Sequence, residues 1–210
     1  SLLIADFIRF GDFKPSALVN EHLLTLRNLT RFRNYLVSSI GDLKRKTICI
    51  LDQIFPEYQS AFANIFGQTS KEILINLSSP ADFENISSSM LEKILSEIFL
   101  KKFASKKISL ISSLAKNSFG ITFSLDSLTL QLKLLIQQIN FIEDRVKDIE
   151  EQIIITLDKV NSPITSIPGI SYITGAVILG EIGDINRFSN PSKLVAFAGI
   201  DASVSQFSCF

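Results

Sequence analysis

Residues 125–153, LDSLTLQLKLLIQQINFIEDRVKDIEEQI, carry an apolar side chain at Leu125, Leu128, Leu132, Leu135, Ile139, Ile142, Val146, Ile149 and Ile153. The spacings alternate between three and four without a miss, the period of a helix that lays one seam against another helix. A strand would alternate every second residue, so this stretch sets the class as all-α, with long helices and a coiled coil. Ser124 stands where a helix cap is expected. Early in the segment Leu130, Leu134, Ile136 and Phe141 widen the apolar face, which predicts burial against several helices. After Glu143 the stripe narrows to a two-helix seam, and Ile154, Ile155 and Leu157 widen it again. Residues 124–158 hold seven acidic side chains against Lys133, Arg145 and Lys147, a net of −4. Negative charge repels phosphate, so this helix is expected to hold protein. Its partner is either a helix of the same chain, with 20–55 the candidate, or a second subunit, which would make a homo-oligomer through the coiled coil.

Upstream, the apolar positions Leu26, Leu29, Leu36, Ile40, Leu43, Ile50 and Ile54 recur at helical spacing and predict one helix over 20–55, ended by Pro56. Gly41 is expected to weaken or bend it. Six basic residues (Arg27, Arg31, Arg33, Lys44, Arg45 and Lys46) face only Glu21 and Asp42 between positions 20 and 50, a net of +4. Arg27 and Arg31 lie one turn apart on one face. Such a helix either tracks a phosphate backbone, of DNA or of an RNA, or is a solvated surface. A short apolar helix is expected over 1–10. The region 58–123 reads as a helical insertion, broken at Ser78-Ser79-Pro80, with a helix over 90–100 begun by Ser87-Ser88-Ser89. Its lysines Lys101, Lys102, Lys106 and Lys107 read as solvated surface.

Composition narrows the function classes. The chain has 210 residues, 46% of them hydrophobic, enough for one or two cores. Basic and acidic residues balance at 21 each, so overall charge points to no nucleic acid. Cys49 and Cys209 are too few and too distant for a disulfide framework or a metal site, which fits a reducing, cytoplasmic setting. Cys49 itself reads as a small core residue. The longest uncharged run, 160–180, is interrupted by Pro163 and Pro168 and is not expected to span a membrane.

Downstream lies PITSIPGISYITGAVILGEIGDINRFSNPSKLVAFAGID, residues 163–201. Ser162 and Pro163 are suited to open a short helix over 163–166. Pro168 and Gly169 break it, and a second helix runs over 172–181. Gly175, Ala176 and Gly180 leave room for a partner helix. This is a helix-hairpin-helix-like pattern. The backbone N–H groups around Gly169, Ile170, Ser171 and Tyr172 are placed to meet a DNA phosphate at a helix start. The same residues also suit a tight turn that merely packs two helices. Asp184 reads as a cap for the next turn, Asn190-Pro191 as a further cap-and-proline helix start, and Gly199 as that helix's end.

Ile167-Pro168-Gly169-Ile170, Gly175-Ala176, Glu181-Ile182-Gly183-Asp184-Ile185, Arg187-Phe188, Lys193-Leu194 and Phe197-Ala198-Gly199-Ile200-Asp201 stand in an order and spacing that resembles the C-terminal domain of the IS110 insertion-sequence transposases. These are relatives of pilin-inverting recombinases. Leu26-Arg27-Asn28-Leu29 with Arg31 and Arg33, and the opening Leu2-Leu3-Ile4-Ala5-Asp6, are similar to segments that follow the family's N-terminal catalytic domain. The resemblance implies a DNA recombinase with a RuvC-like domain whose four acidic residues bind divalent metal (magnesium), and a second domain with a nucleophilic serine. DNA is the implied partner, and for certain members a structured guide RNA. On this alignment residues 1–15 end the RuvC-like domain, 16–57 form the basic helix, 58–123 the insertion, 124–160 the coiled coil, and 161–210 the start of the C-terminal domain. The acidic residues would precede Ser1 and the serine would follow Phe210. The expectation is therefore a truncated portion that keeps binding functions and has neither catalytic centre, no metal ligands and no cofactor of its own.

The candidate catalytic groups support that expectation. Asp6 and Asp12 do not share a helix face, as carboxylates holding one cation should. Glu143-Asp144 and Glu150-Glu151 read as solvated pairs. His22 has no cluster of ligands around it, and Ser203 and Ser205 have no adjacent base. Phe207 and Phe210 read as core residues without partners. The alternatives are a stand-alone helix-hairpin-helix nucleic-acid-binding module and a coiled-coil interaction protein.

Overall fold

The computed structural model describes residues 20–87 and 101–200, together with positions 3, 6, 9, 10, 90 and 94; for 101–104 it describes the backbone alone. In order come α1 (Glu21–Ile54), a 3₁₀ helix (Pro56–Ala61), α2 (Gln68–Asn76), α3 (Pro80–Glu84), α4 (Lys101–Ala115) and α5 (Leu125–Val160). A 3₁₀ turn (Pro163–Ser166), α6 (Tyr172–Ile182), a second 3₁₀ turn (Ile185–Arg187) and α7 (Pro191–Phe197) follow. There is no strand among the described residues, and the fold class is all-α. Two compact units divide the chain, one of residues 32–150 and one of residues 1–31 with 151–210. Most of the helix expected over 90–100, residues 88–89 of its serine start, Asp12, Ser203, Ser205, Phe207, Cys209 and Phe210 lie outside the described residues. In the 1–10 helix, positions 3, 6, 9 and 10 are helical and the rest lie outside.

In the unit of residues 32–150, the heptad positions have an in-chain partner. Ile40, Ile139 and Val146 are buried together, with Leu36, Leu43, Phe66 and Ile142 packed against them. Arg33 bonds Glu150 at 2.6 Å and Lys44 bonds Glu143 at 3.2 Å, so numbers rise along α1 as they fall along α5. The two helices are therefore antiparallel, and the basic stretch meets the acidic one. Of the two partners left open by the sequence, this seam takes the helix of its own chain. Ile136 is fully buried as expected, but Leu130, Leu134 and Phe141 are not: they are 57%, 54% and 63% exposed. The insertion reaches only one side of the widened face.

That insertion is helical and builds the larger core. Leu51, Ile54, Phe55, Tyr58, Ile73, Leu77, Phe83, Ile111, Leu132 and Ile136 belong to one cluster. Phe55, Tyr58 and Phe83 stand with ring centroids 5.7 to 6.2 Å apart, mutually tilted. Burying each such side chain contributes roughly 1.5–3 kcal/mol. The Tyr58 hydroxyl keeps a partner in the Ser70 hydroxyl, 3.0 Å away, and burial pushes its pKa up. Ser79 does more than break the chain: its hydroxyl accepts from the Asp82 N–H while the Asp82 carboxylate accepts from the Ser79 N–H, a complete capping box opening α3.

Several expectations are corrected. Cys49 is exposed, because it sits off the seam that buries Ile50 and Leu51. Ser124 precedes α5 with φ +55, but its hydroxyl meets Ser127 rather than a backbone N–H. Lys107 is not simply solvated: it donates to the Ala61 carbonyl and lies over the Phe62 ring. In the pairs Glu143-Asp144 and Glu150-Glu151, Asp144 and Glu151 are exposed as expected, but Glu143 and Glu150 are each bonded to α1, and Glu143 also takes a 2.6 Å bond from the buried Lys71.

Candidate nucleic-acid interface

The hairpin of residues 161–183 is set up by local chemistry. The Ser162 hydroxyl accepts from the Ile164 N–H, and Pro163 opens the 3₁₀ turn. The turn closes with Ile170 N–H donating to the Ile167 carbonyl at 3.1 Å. Gly169 has φ +89 and nothing within 4 Å of where a Cβ would project. A residue with a side chain would be strained there although space is open. The Ser171 hydroxyl caps α6 by accepting from the Thr174 N–H at 3.2 Å. Among the described residues, the N–H groups of Gly169, Ser171 and Tyr172 have no intrachain acceptor, and the Tyr172 ring is 52% exposed.

The small residues of α6 act as the sequence suggests. Gly175, Ala176 and Gly180 are buried. A Cβ on Gly180 would stand 2.9 Å from the Arg27 nitrogen and 3.0 Å from its Cα, so the backbones of α6 and the start of α1 touch. One on Gly175 would stand 3.0 Å from an Ile164 methyl.

At that contact two arginines grip the C-terminal end of α6. Arg27 Nε donates to the Gly180 carbonyl at 2.7 Å, and a second donor reaches the Glu181 carbonyl at 3.4 Å. Arg31, one turn on, holds the Glu181 carboxylate through two bonds of 2.7 and 2.8 Å. Helix-end carbonyls have no intrahelical donor, and cations are favoured at that pole. The Arg31 hydrogen bond is the main reason the Glu181 carboxyl titrates below the usual carboxylate range.

The rest of the expected basic track is also engaged within the chain. Arg33 is bonded to Glu150, Lys44 to Glu143 and Arg45 to Asp42. Lys46 is exposed and, among the described residues, makes no ion pair. Of Arg27, Arg31, Arg33, Lys44, Arg45 and Lys46, only Lys46 thus has no partner among the described residues. Periodicity could not signal the Arg31–Glu181 or Lys71–Glu143 pairs, because each joins residues far apart in the chain. Asp184 caps the next turn through the Asn186 N–H at 2.9 Å. Asn190 caps α7, and Gly199 closes it with φ +73 and an Ile200 N–H to Val195 carbonyl bond.

Comparison with known families places both segments. Residues 161–206 match the family described as Transposase IS116/IS110/IS902, and residues 1–56 match the DEDD domain of IS110 transposases. Both matched segments are those of IS110-type transposases. No curated protein and no solved structure matches it. An IS110-type transposase is an insertion-sequence enzyme whose partner is DNA, and DEDD domains generally use a divalent metal. Among the described residues, no group of three or more His, Cys, Asp or Glu side chains converges, and Asp6 is exposed. No described helix is long and apolar enough to cross a membrane.

Proposed function

We propose that this chain of an IS110-type transposase binds the sugar-phosphate backbone of DNA through the hairpin at Gly169, Ile170, Ser171 and Tyr172. The observation that carries the reading is Gly169: a positive φ in open space, directly before a capped helix with unpartnered N–H groups. A phosphate can approach such a backbone because no Cβ stands in the way. On the basic α1, Arg27, Arg31, Arg33, Lys44 and Arg45 bond groups of the protein itself, and Lys46 is the residue open to a separate phosphate contact. This is a binding role, with no catalytic residue assigned to it.

The test is salt-dependent binding of a mixed-sequence DNA duplex to the full chain. Replacing Gly169 by Val should weaken binding severalfold while circular dichroism stays helical, because a branched side chain would fill the approach path. Equal affinity of the variant would remove the hairpin from the interface. A structured RNA as competitor tests the guide-RNA partner: displacement of the duplex supports a shared surface, and no displacement argues against it.

A further inference from the structure

Arg187 stands apart from the other arginines. Among the described arginines between residues 20 and 200, Arg27, Arg31, Arg33, Arg45 and Arg145 each bond a carboxylate or a backbone carbonyl of this chain. Among the described residues Arg187 bonds neither. Its guanidinium carbon instead lies 4.4 Å from the Phe197 ring centroid and 4.6 Å from that of Phe188. Those two rings are themselves 5.3 Å apart and tilted by 56°. The residue is exposed and ends the 3₁₀ turn Ile185–Arg187, which Asp184 caps.

This arrangement has a physical consequence. A guanidinium resting on aromatic faces keeps its charge and leaves its N–H donors, which lie in its own plane, free for a planar or tetrahedral oxyanion. The two rings restrict the long side chain before any ligand arrives, so less conformational freedom is lost on binding. Asp184, the nearest carboxylate in sequence, is occupied with the Asn186 N–H and side chain. The exposed Lys193 on α7 adds a second positive charge to the same segment.

We propose that Arg187 is a phosphate-binding residue for the DNA backbone, pre-oriented by Phe188 and Phe197. The inference rests on the duplex-binding reading above but uses a different residue and contact.

Its test is the affinity of the full chain for a mixed-sequence DNA duplex, titrated between about 50 and 200 mM salt. Arg187→Gln should weaken binding about tenfold and reduce the slope of log affinity against log salt by about 0.9, the loss of one phosphate contact. Arg187→Lys should keep the slope but lose affinity, since an ammonium neither stacks flat nor donates as a fork. Phe197→Leu, which keeps the charge and removes one ring, should also lose affinity at unchanged slope. Unchanged affinity in Arg187→Gln overturns the proposal, and so does weaker binding with an unchanged slope, which would mark a structural role. If Gly169→Val weakens binding and Arg187→Gln does not, only this inference falls. If the unaltered chain binds no duplex, both readings fall.

Discussion

The Glu181 carboxylate receives both forked donors of Arg31, at 2.7 and 2.8 Å, across a sequence separation of 150 residues. One turn earlier Arg27 binds the Gly180 carbonyl at the same helix end. Two arginines that a one-dimensional reading gives to a phosphate backbone are thus the means by which α6 is held against the start of α1.

Reversing one partner of that pair should loosen α6, and reversing both should restore it. Arg31→Glu or Glu181→Arg alone places like charges together. The double variant rebuilds an attractive pair in the opposite sense. Denaturant midpoints of the four proteins form the cycle. A double variant no more stable than the worse single one would show that the pair does not hold the helix.

Three glycines should answer differently to a methyl group. At Gly120 the added carbon would stand 2.1 Å from the Ile54 carbonyl oxygen, where Ile121 N–H also ties the loop to Gln53 at 2.8 Å. Gly120→Ala should cost about 3 kcal/mol or more, because backbone must move. Gly180→Ala, with 2.9 Å to the Arg27 backbone, should cost about 1–3 kcal/mol. At Gly41 the nearest atom is a flexible Arg45 terminus at 3.6 Å, so Gly41→Ala should stabilise α1 by up to about 1 kcal/mol. Urea melts with unchanged slopes would check all three.

Acid should weaken the helix pair through Glu143. Burial alone would raise this carboxyl, but hydrogen bonds from Lys71 and Lys44, aided by their charges, outweigh it and hold it below the usual range. A depressed folded value means the stabilisation is present above the unfolded carboxyl pKa, about 4.3, and is lost as pH falls through the folded one. Between neutral pH and about pH 5, stability should hardly change on this account. Glu143→Gln should flatten the loss below that range. An equally steep acid loss in the variant would assign the effect to other carboxylates.

Removing the same carboxylate at neutral pH probes the buried cation. The Lys71 side chain is 6% exposed and bonds Glu143 at 2.6 Å. Glu143→Ala leaves that ammonium without its carboxylate and should cost about 3 kcal/mol. Lys71→Met with Glu143→Gln should recover most of the loss in thermal melts, because the buried site then holds no unpaired charge.

The sequence determined much of this by itself. The three-and-four spacing from Leu125 to Ile153 is a local property, and every one of those residues is buried or half-buried. Pro56, Ser162-Pro163, Ser171, Asp184 and Asn190-Pro191 act within a few residues of where they stand, so helix limits and caps were legible. So was the family, because its residues run in order through the hairpin. The Ser79–Asp82 capping box is visible too, in the spacing of serine and carboxylate. The tertiary structure alone decided the partners. Whether Arg31 meets a phosphate or Glu181, whether Glu143 meets water or Lys71, and which helix fills the seam are questions of distance in space. A periodic pattern states which face of a helix is apolar or charged. It carries no term for what packing brings against that face, and here packing set the positive α1 against the negative α5.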